Sequence, residues 1–357
     1  MTRTDPKTGT GTRWRFLLVA AIVLGVGGAF LYVGGWLSPH KLTPSRFVDT
    51  FQHVNGPHPG FRRNHAKGVG VSGTFESNGQ GARLSKAVVF RPGRVPVIGR
   101  FSLAGGMPYQ TDALRTVRGL GLQFSLPDGE QWRTAMVDIP IFAVNTPEAF
   151  REQLIAMEAD AKTGKPDPAK VKAFLDRHPE SARAVQTIQA QMPSSGFDDS
   201  MYNSLNAFWL VDASGRSTPV RWSMVPAQPL APVAAAPEGD PNFLFDALIA
   251  RLHQQPLRWR LVLTIGQAGD PTNDATVAWP EDREKLDVGT LTIDSIESDT
   301  TSPARTINFD PLILPEGIVG SDDALLSARS AVYSVSFRRR VGEPVPSSAV
   351  TPAEVAQ

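Results

Sequence analysis

Leu120-Gly121-Leu122-Gln123-Phe124-Ser125-Leu126-Pro127-Asp128-Gly129 is the stretch whose reading decides the fold. Leu120, Leu122, Phe124 and Leu126 alternate strictly with small or polar residues, the period of a strand with one buried face. Pro127-Asp128-Gly129 is turn chemistry, because proline presets φ and glycine accepts a positive one. It sends the chain back through residues 131–137, so the pair reads as a β-hairpin.

Working outward, strand candidates lie at 69–75, 86–90 and 95–103 upstream, the last two flanking the turn Arg91-Pro92-Gly93. Downstream they recur at 207–211, 220–225, 259–265 and 288–296. Helices are interleaved. One spans 43–54, with Phe47, Val48, Phe51 and Val54 on one stripe. Another starts at Thr146-Pro147-Glu148, a hydroxyl cap, proline in the first turn and an acid near the positive helix end. Others cover 169–192, broken near Pro179, and 243–252, and a last one is capped by Ser321-Asp322-Asp323. The expected fold is α+β: an antiparallel barrel of about eight strands with helical insertions. Such a barrel has room inside for one ligand and at its mouth for a cofactor. Two stacked sheets fit the same pattern.

Residues 16–37, FLLVAAIVLGVGGAFLYVGGWL, carry no charge and are long enough to cross a bilayer. Arg3, Lys7, Arg13 and Arg15 precede them, which keeps the N-terminus cytoplasmic and places the rest outside. The expected layout is a cytoplasmic segment 1–15, an anchor 16–37, a barrel domain 43–341 and a mobile tail 342–357. Localisation follows: single-pass in the inner membrane, with the domain facing the periplasm or exterior. A cleaved signal peptide competes, but Leu37-Ser38-Pro39-His40-Lys41 offers no small-x-small site. The absence of cysteine excludes disulfides, thiolate nucleophiles and iron–sulfur clusters. A net charge of +1 gives no reason to expect nucleic acid as a partner.

Arg329 and Tyr333 are four residues apart, hence on one helix face, and a neighbouring cation favours a phenolate. A phenolate is a strong oxygen donor for ferric haem iron. Far upstream stands Arg62-Arg63-Asn64-His65-Ala66-Lys67-Gly68. His40, His53, His58, His178 and His253 lack metal-ligand spacing.

With these motifs the chain from about Thr43 to Arg340 resembles the haem catalase superfamily, and within it the short branch of catalase-related peroxidases. His65-Ala66-Lys67-Gly68, with Gly70, Gly73 and Phe75-Glu76, resembles the distal histidine motif. Arg100-Phe101-Ser102, Arg115-Thr116-Val117-Arg118-Gly119, Thr146-Pro147-Glu148-Ala149-Phe150, Ala278-Trp279-Pro280 and the run from Asp310-Pro311-Leu312 to Tyr333 follow in the family's order. The resemblance implies haem b, with Tyr333 as the proximal iron ligand and Arg329 its partner. It implies His65 as the group that moves a proton between the peroxide oxygens, with Ser102 fixing its tautomer. Arg62, Arg100 and Arg340 would anchor the haem propionates. Phe150 would pack on the haem and Phe142 would line its distal side.

Large catalases carry a distal Asn-Asn-Thr-Pro run. Here Met136-Val137-Asp138-Ile139-Pro140-Ile141-Phe142 stands there, with Val137 at the asparagine position. The catalases' C-terminal helical domain and long N-terminal arm have no counterpart here, so tetramers and bound nicotinamide nucleotide are not carried over. The implied function is a peroxidase using hydrogen peroxide or an organic hydroperoxide with a small organic reductant, and with weak catalase activity. Rearrangement of lipid hydroperoxides is a second haem reading, and a non-enzymatic ligand-binding barrel a third.

Overall fold

The computed structural model describes residues 10–34, 41–233 and 237–352. The chain divides into two compact units, Met1–Phe47 and Val48–Gln357. In the first, helix α1 (Thr10–Val33) contains an apolar span, Arg13–Val33, that meets the length and composition needed to cross a bilayer. The expected anchor extended to residue 37, and its last residues lie outside the described ones, as do residues 1–9 and 353–357. Helix α2 is Pro44–Asn55.

The second unit holds strands β1 (Gly68–Ser77), β2 (Gly93–Leu103), β3 (Arg118–Ser125), β4 (Gln131–Val137), β5 (Tyr202–Asn203), β6 (Phe208–Val211), β7 (Ser217–Pro226), β8 (Leu257–Ile265), β9 (Lys285–Ser298) and β10 (Ile318–Gly320). Helices α3 (Pro147–Ala156), α4 (Pro168–Arg177) and α5 (Pro179–Ala190) lie between β4 and β5. Helix α6 (Phe243–Gln254) precedes β8, and α7 (Ala324–Val341) follows β10. All named strand pairs are antiparallel, in the order β10-β6-β7-β5-β4-β3-β2-β1-β9-β8. A further pairing of β7 with β8, Trp222 opposite Leu263, closes eight of these strands into a barrel. β6 and β10 extend the sheet beyond it.

The 120–126 alternation is borne out. Leu120, Leu122 and Phe124 are fully buried, and the turn after them returns through Trp132, which lies opposite Phe124 with the rings stacked at 4.7 Å. The proline-started helix forms as expected, with the Ala149 amide donating to Thr146 Oγ1 at 3.2 Å. Residues 86–90 are a correction. Their apolar run reads as a strand, but Val88–Phe90 is a 3₁₀ turn. Ser85 Oγ accepts from the Ala87 amide, and the Phe90 amide bonds back to Ala87 O, so the backbone is satisfied locally and Phe90 drops into the core.

The barrel interior is a second correction. It is not a ligand space, because Phe75, Phe101, Phe124, Trp132, Tyr202, Trp222 and Trp259 fill it. Residues of opposite parity face outward. Gly68, Ser102, Gly119, Val137 and Asn203 form one such row across β1–β5, and it is this outer face that carries the site.

Residues beyond 341 were expected to be mobile. Their described part is tied down: the Gly60 amide donates to Glu343 Oε2 at 2.6 Å, and Val350 is buried in the main hydrophobic cluster.

Candidate active site

His65 sits in the loop before β1 with φ of 55°, the left-handed region that a residue with a Cβ enters at a cost of about 1–3 kcal/mol. The conformation is over-determined. Asn64 Oδ1 accepts from the amides of His65 (3.0 Å) and Gly105 (2.9 Å). Arg100 donates to the carbonyls of His65 (2.8 Å) and Ala66 (3.1 Å). The strained backbone aims the imidazole at β2, where Nδ1 lies 3.1 Å from Ser102 Oγ. Ser102 pairs with Gly119 on β3, and a β-carbon at Gly119 would fall 2.9 Å from Ser102 Oγ and 3.0 Å from His65 Cε1 and Nδ1. Only glycine leaves the ring its place. Next in the row stands Val137, directly opposite Gly119 on β4.

Burial lowers the His65 pKa to about 3, and the charges of Arg100, Arg329 and Arg62 push the same way. The imidazole is therefore neutral at physiological pH. Among the described residues Nε2 makes no hydrogen bond, which leaves one ring nitrogen for a ligand.

Arg62, Arg100 and Arg340 lie within electrostatic reach of one another. Arg100 forms a bidentate pair with Asp299 at 2.7 and 2.9 Å. Arg62 donates to the carbonyls of Ala304 (2.8 Å) and Ile307 (3.3 Å), and its guanidinium lies 5.5 Å from the centre of the Phe309 ring. Arg340 donates to Arg305 O at 2.9 Å. Burial, then the neighbouring cations Arg340 and Arg100, holds Arg62 well below its ordinary pKa. Burial and Arg100 bring Arg340 down to about 10. Burial pushes Asp299 up, but Arg100, Arg62 and Arg340 override it and hold the carboxyl below its usual range. Three cations thus share one acid.

Helix α7 supplies the other side. Asp323 caps it, with Oδ1 accepting from the Leu325 amide at 2.8 Å, and its Oδ2 accepts from Asn206 Nδ2 at 2.7 Å. Asn206 Oδ1 in turn accepts from Arg329, whose second amino group donates to Ala135 O at 2.8 Å. Arg329 makes no hydrogen bond to Tyr333 among the described residues; its partners are Asn206 and Ala135. Tyr333 packs against the cluster of Ala304, Ile307 and Phe309, as do Ile98 and Ala135. The charge of Arg329 helps lower the His65 pKa and Tyr333 opposes the lowering at Arg62, so α7 and the histidine loop lie within electrostatic reach of each other. Phe142 and Phe150 meet edge to face at 5.2 Å and pack against a cluster that includes Val144, Ala149 and Leu325 of α7.

A haem would find matching groups here. Arg62 Nε is buried without a hydrogen-bond partner, and the cation excess suits a dianionic cofactor. Among the described residues no group of three His, Asp or Glu is placed to hold a bare ion.

Asn64, Gly119, Asn206, Asp299 and Glu343 were not singled out from the sequence. Gly119 had a signal, since small residues at alternate positions of a strand mark a face that something approaches closely. The others are ordinary polar residues until their partners are known.

The sequence model of the catalase family matches residues 35–350. The chain is 36% identical over 333 residues to the catalase-related peroxidase of Synechococcus elongatus, covering 92% of this chain and 96% of that protein. It is 33% identical over 304 residues to the catalase-related peroxidase of Mycolicibacterium paratuberculosis, covering 84% and 96%. Rat (Rattus norvegicus) catalase is 28% identical over 313 residues, 83% of this chain and 59% of that one. Among solved structures, a bacterial catalase superposes with a TM-score of 0.70 at 22% identity, covering 86% of this chain and 64% of that one. Catalase A of Saccharomyces cerevisiae does so with 0.71 at 18% identity, covering 86% and 68%. A closed eight-strand barrel with a partly buried His–Ser pair on its outer face, matched by the family model over residues 35–350 and by a catalase-related peroxidase over 92% of its length, belongs to the catalase family.

Proposed function

We propose that the protein is a haem b peroxidase anchored in the inner membrane by α1, its catalytic domain facing the periplasm or exterior. It reduces hydrogen peroxide or organic hydroperoxides at the expense of a small organic donor. The observation that supports this reading is His65, held neutral and strained against Ser102 beside the cations Arg62, Arg100 and Arg329. The apolar span Arg13–Val33, with Arg3 and Lys7 before it, supports the anchor.

Bound haem supplies the iron at which the peroxide O–O bond is cleaved and reduced. Tyr333 Oη would hold that iron, and Arg62, Arg100 and Arg340 would receive the propionates. His65 takes a proton from the near oxygen of the peroxide at Nε2 and returns it to the far one, which leaves as water or an alcohol. For Nε2 to accept, Nδ1 must carry the ring proton and donate it to Ser102 Oγ. The low pKa of His65 keeps Nε2 free and makes its return of the proton favourable. Val137, in the same row as Ser102 and Gly119, offers a second peroxide no hydrogen bond. Reduction by organic donors therefore outpaces dioxygen release.

The test is the purified protein loaded with haem. A Soret band, donor oxidation with peroxide and little dioxygen support the reading. His65→Ala should keep the haem and lose peroxide reactivity. Failure of the wild type to bind haem, or dioxygen release matching a large catalase, overturns it.

A further inference from the structure

The haem-peroxidase reading leaves open what keeps the two sides of the slot together. α7 is fixed near its start, through Asp323 to Asn206 and through Arg329 to Ala135 on β4. Its far end, with Arg340, lies three turns of helix away from that attachment. That end is fastened to the histidine loop as well as to α2, through Arg339 to Asp49 and Gln52, and to Arg305 O through Arg340.

Glu343, just past α7, takes both amino groups of Arg63, Nη1 on Oε2 at 2.8 Å and Nη2 on Oε1. Its Oε2 also takes the Gly60 amide at 2.6 Å. Arg63 donates further to Phe61 O at 2.9 Å, and its amide reaches Ser336 Oγ on α7 at 3.4 Å. The chain then crosses the loop. A β-carbon at Gly60 would meet Pro344 O at 2.2 Å and Pro346 Cδ at 2.5 Å, so backbone lies on backbone. Beyond the crossing, Tyr109 Oη donates to Ser347 O at 3.3 Å and Val350 is buried in the main hydrophobic cluster.

This is not a surface ion pair. The side chains of Arg63 and Glu343 are 4% and 25% exposed and paired at two points, the geometry in which carboxylate–guanidinium bonding is strong. It is also well placed. Arg63 stands beside Arg62, which donates to Ala304 O, and two residues before His65.

We propose that Arg63 and Glu343 are positioning residues. The clasp they form holds the Tyr333 helix and the His65 loop at a set separation on the two faces of the haem, and so governs how firmly haem is retained. The proposal rests on the haem-peroxidase reading. It adds a role for the segment after α7, which crosses the loop as a strap.

The experiment compares the haem-loaded, full-length protein in detergent with Glu343→Gln, Arg63→Lys and, as control, Asp270→Asn. The control breaks another sheltered bidentate pair, Asp270 with Arg283 at 2.8 and 3.0 Å, on a loop that carries no group of the site. Haem transfer to excess apomyoglobin is followed at the Soret band, and thermal unfolding by circular dichroism. Glu343→Gln should release haem at least tenfold faster and broaden the ferric electron paramagnetic resonance signal, with Arg63→Lys between it and the wild type. Asp270→Asn should release haem at the wild-type rate even where its melting temperature falls. Unchanged release in both clasp variants, or equal acceleration in the control, overturns the proposal. Glu343→Asp, which keeps the charge, should restore most of the retention if Glu343→Gln folds poorly, and its failure to do so counts against the clasp. A wild type that takes up no haem overturns the peroxidase reading and the clasp with it.

Discussion

Gly119 and His65 lie against each other so closely that a β-carbon on the glycine would stand 3.0 Å from two atoms of the imidazole. The pair belongs to different segments, a barrel strand and the loop before the first strand, and it sets the position of the proton-handling group. Gly119→Val should therefore push the ring off Ser102. The expected result is retained haem with the second-order rate of peroxide reaction reduced at least tenfold, read by stopped-flow absorbance. An unaffected rate would mean the ring does not need this place.

Ser102→Ala removes the hydrogen-bond partner of Nδ1. A neutral hydrogen bond of this kind is worth about 1 kcal/mol, so the loss in stability should be small. The loss in peroxide rate should be larger, about tenfold, because the ring can then populate the tautomer with its proton on Nε2. Denaturation and rapid-mixing data on the same variant separate the two effects, and equal losses in both would argue for a merely structural serine.

Tyr333→Phe keeps the packing against Ile307 and Phe309 but removes the phenol oxygen. The barrel should unfold at nearly the wild-type temperature, while the Soret band of any bound haem shifts and its ferric high-spin signal is lost. A Phe variant with wild-type spectra would assign the iron to another ligand.

The pH dependence of stability tests the burial of His65. Its native pKa is about 3, and unfolded histidine titrates near 6.5. Below 6.5 the unfolded chain binds a proton that the native state refuses, so this residue lowers stability as pH falls from about 6.5 towards 3 and has no effect above. One proton corresponds to about 1.4 kcal/mol per pH unit. In urea titrations of the haem-free protein, His65→Gln should gain on the wild type step by step as the buffer is made more acidic. Parallel curves would place the imidazole in contact with water.

Val137→Asn would return a polar side chain to the row shared with Gly119. The ratio of dioxygen released to donor oxidised should rise several-fold, measured with an oxygen electrode and a chromogenic phenol in the same reaction. A falling ratio contradicts the role given to Val137.

The elements were legible wherever the signal was local. A period-2 run, a proline-started helix and a charge-free apolar span each declare themselves within about ten to twenty residues. Val88–Phe90 misled because a short apolar run looks the same in a buried strand and in a 3₁₀ turn plugged into the core. β5 was invisible because two residues show no period. The motif residues His65, Ser102, Arg62, Arg100, Arg329, Arg340 and Tyr333 could be picked out, whereas the edge-to-face contact of Phe142 with Phe150 could not.

What the amino-acid order determined by itself was the set of pieces: eight or so strands, their turns, the helices between them, an apolar N-terminal span, and a histidine motif far upstream of an Arg–Tyr pair at helical spacing. What only the tertiary structure decided was where those pieces meet. The barrel's interior is packed with rings, so the site lies on its outer face, and Asn64, Gly119, Asn206, Asp299 and Glu343 gained their roles there. The reason is physical: a strand's period comes from its own backbone geometry, whereas a hydrogen bond or close contact between distant segments exists only after the barrel has closed and brought them together.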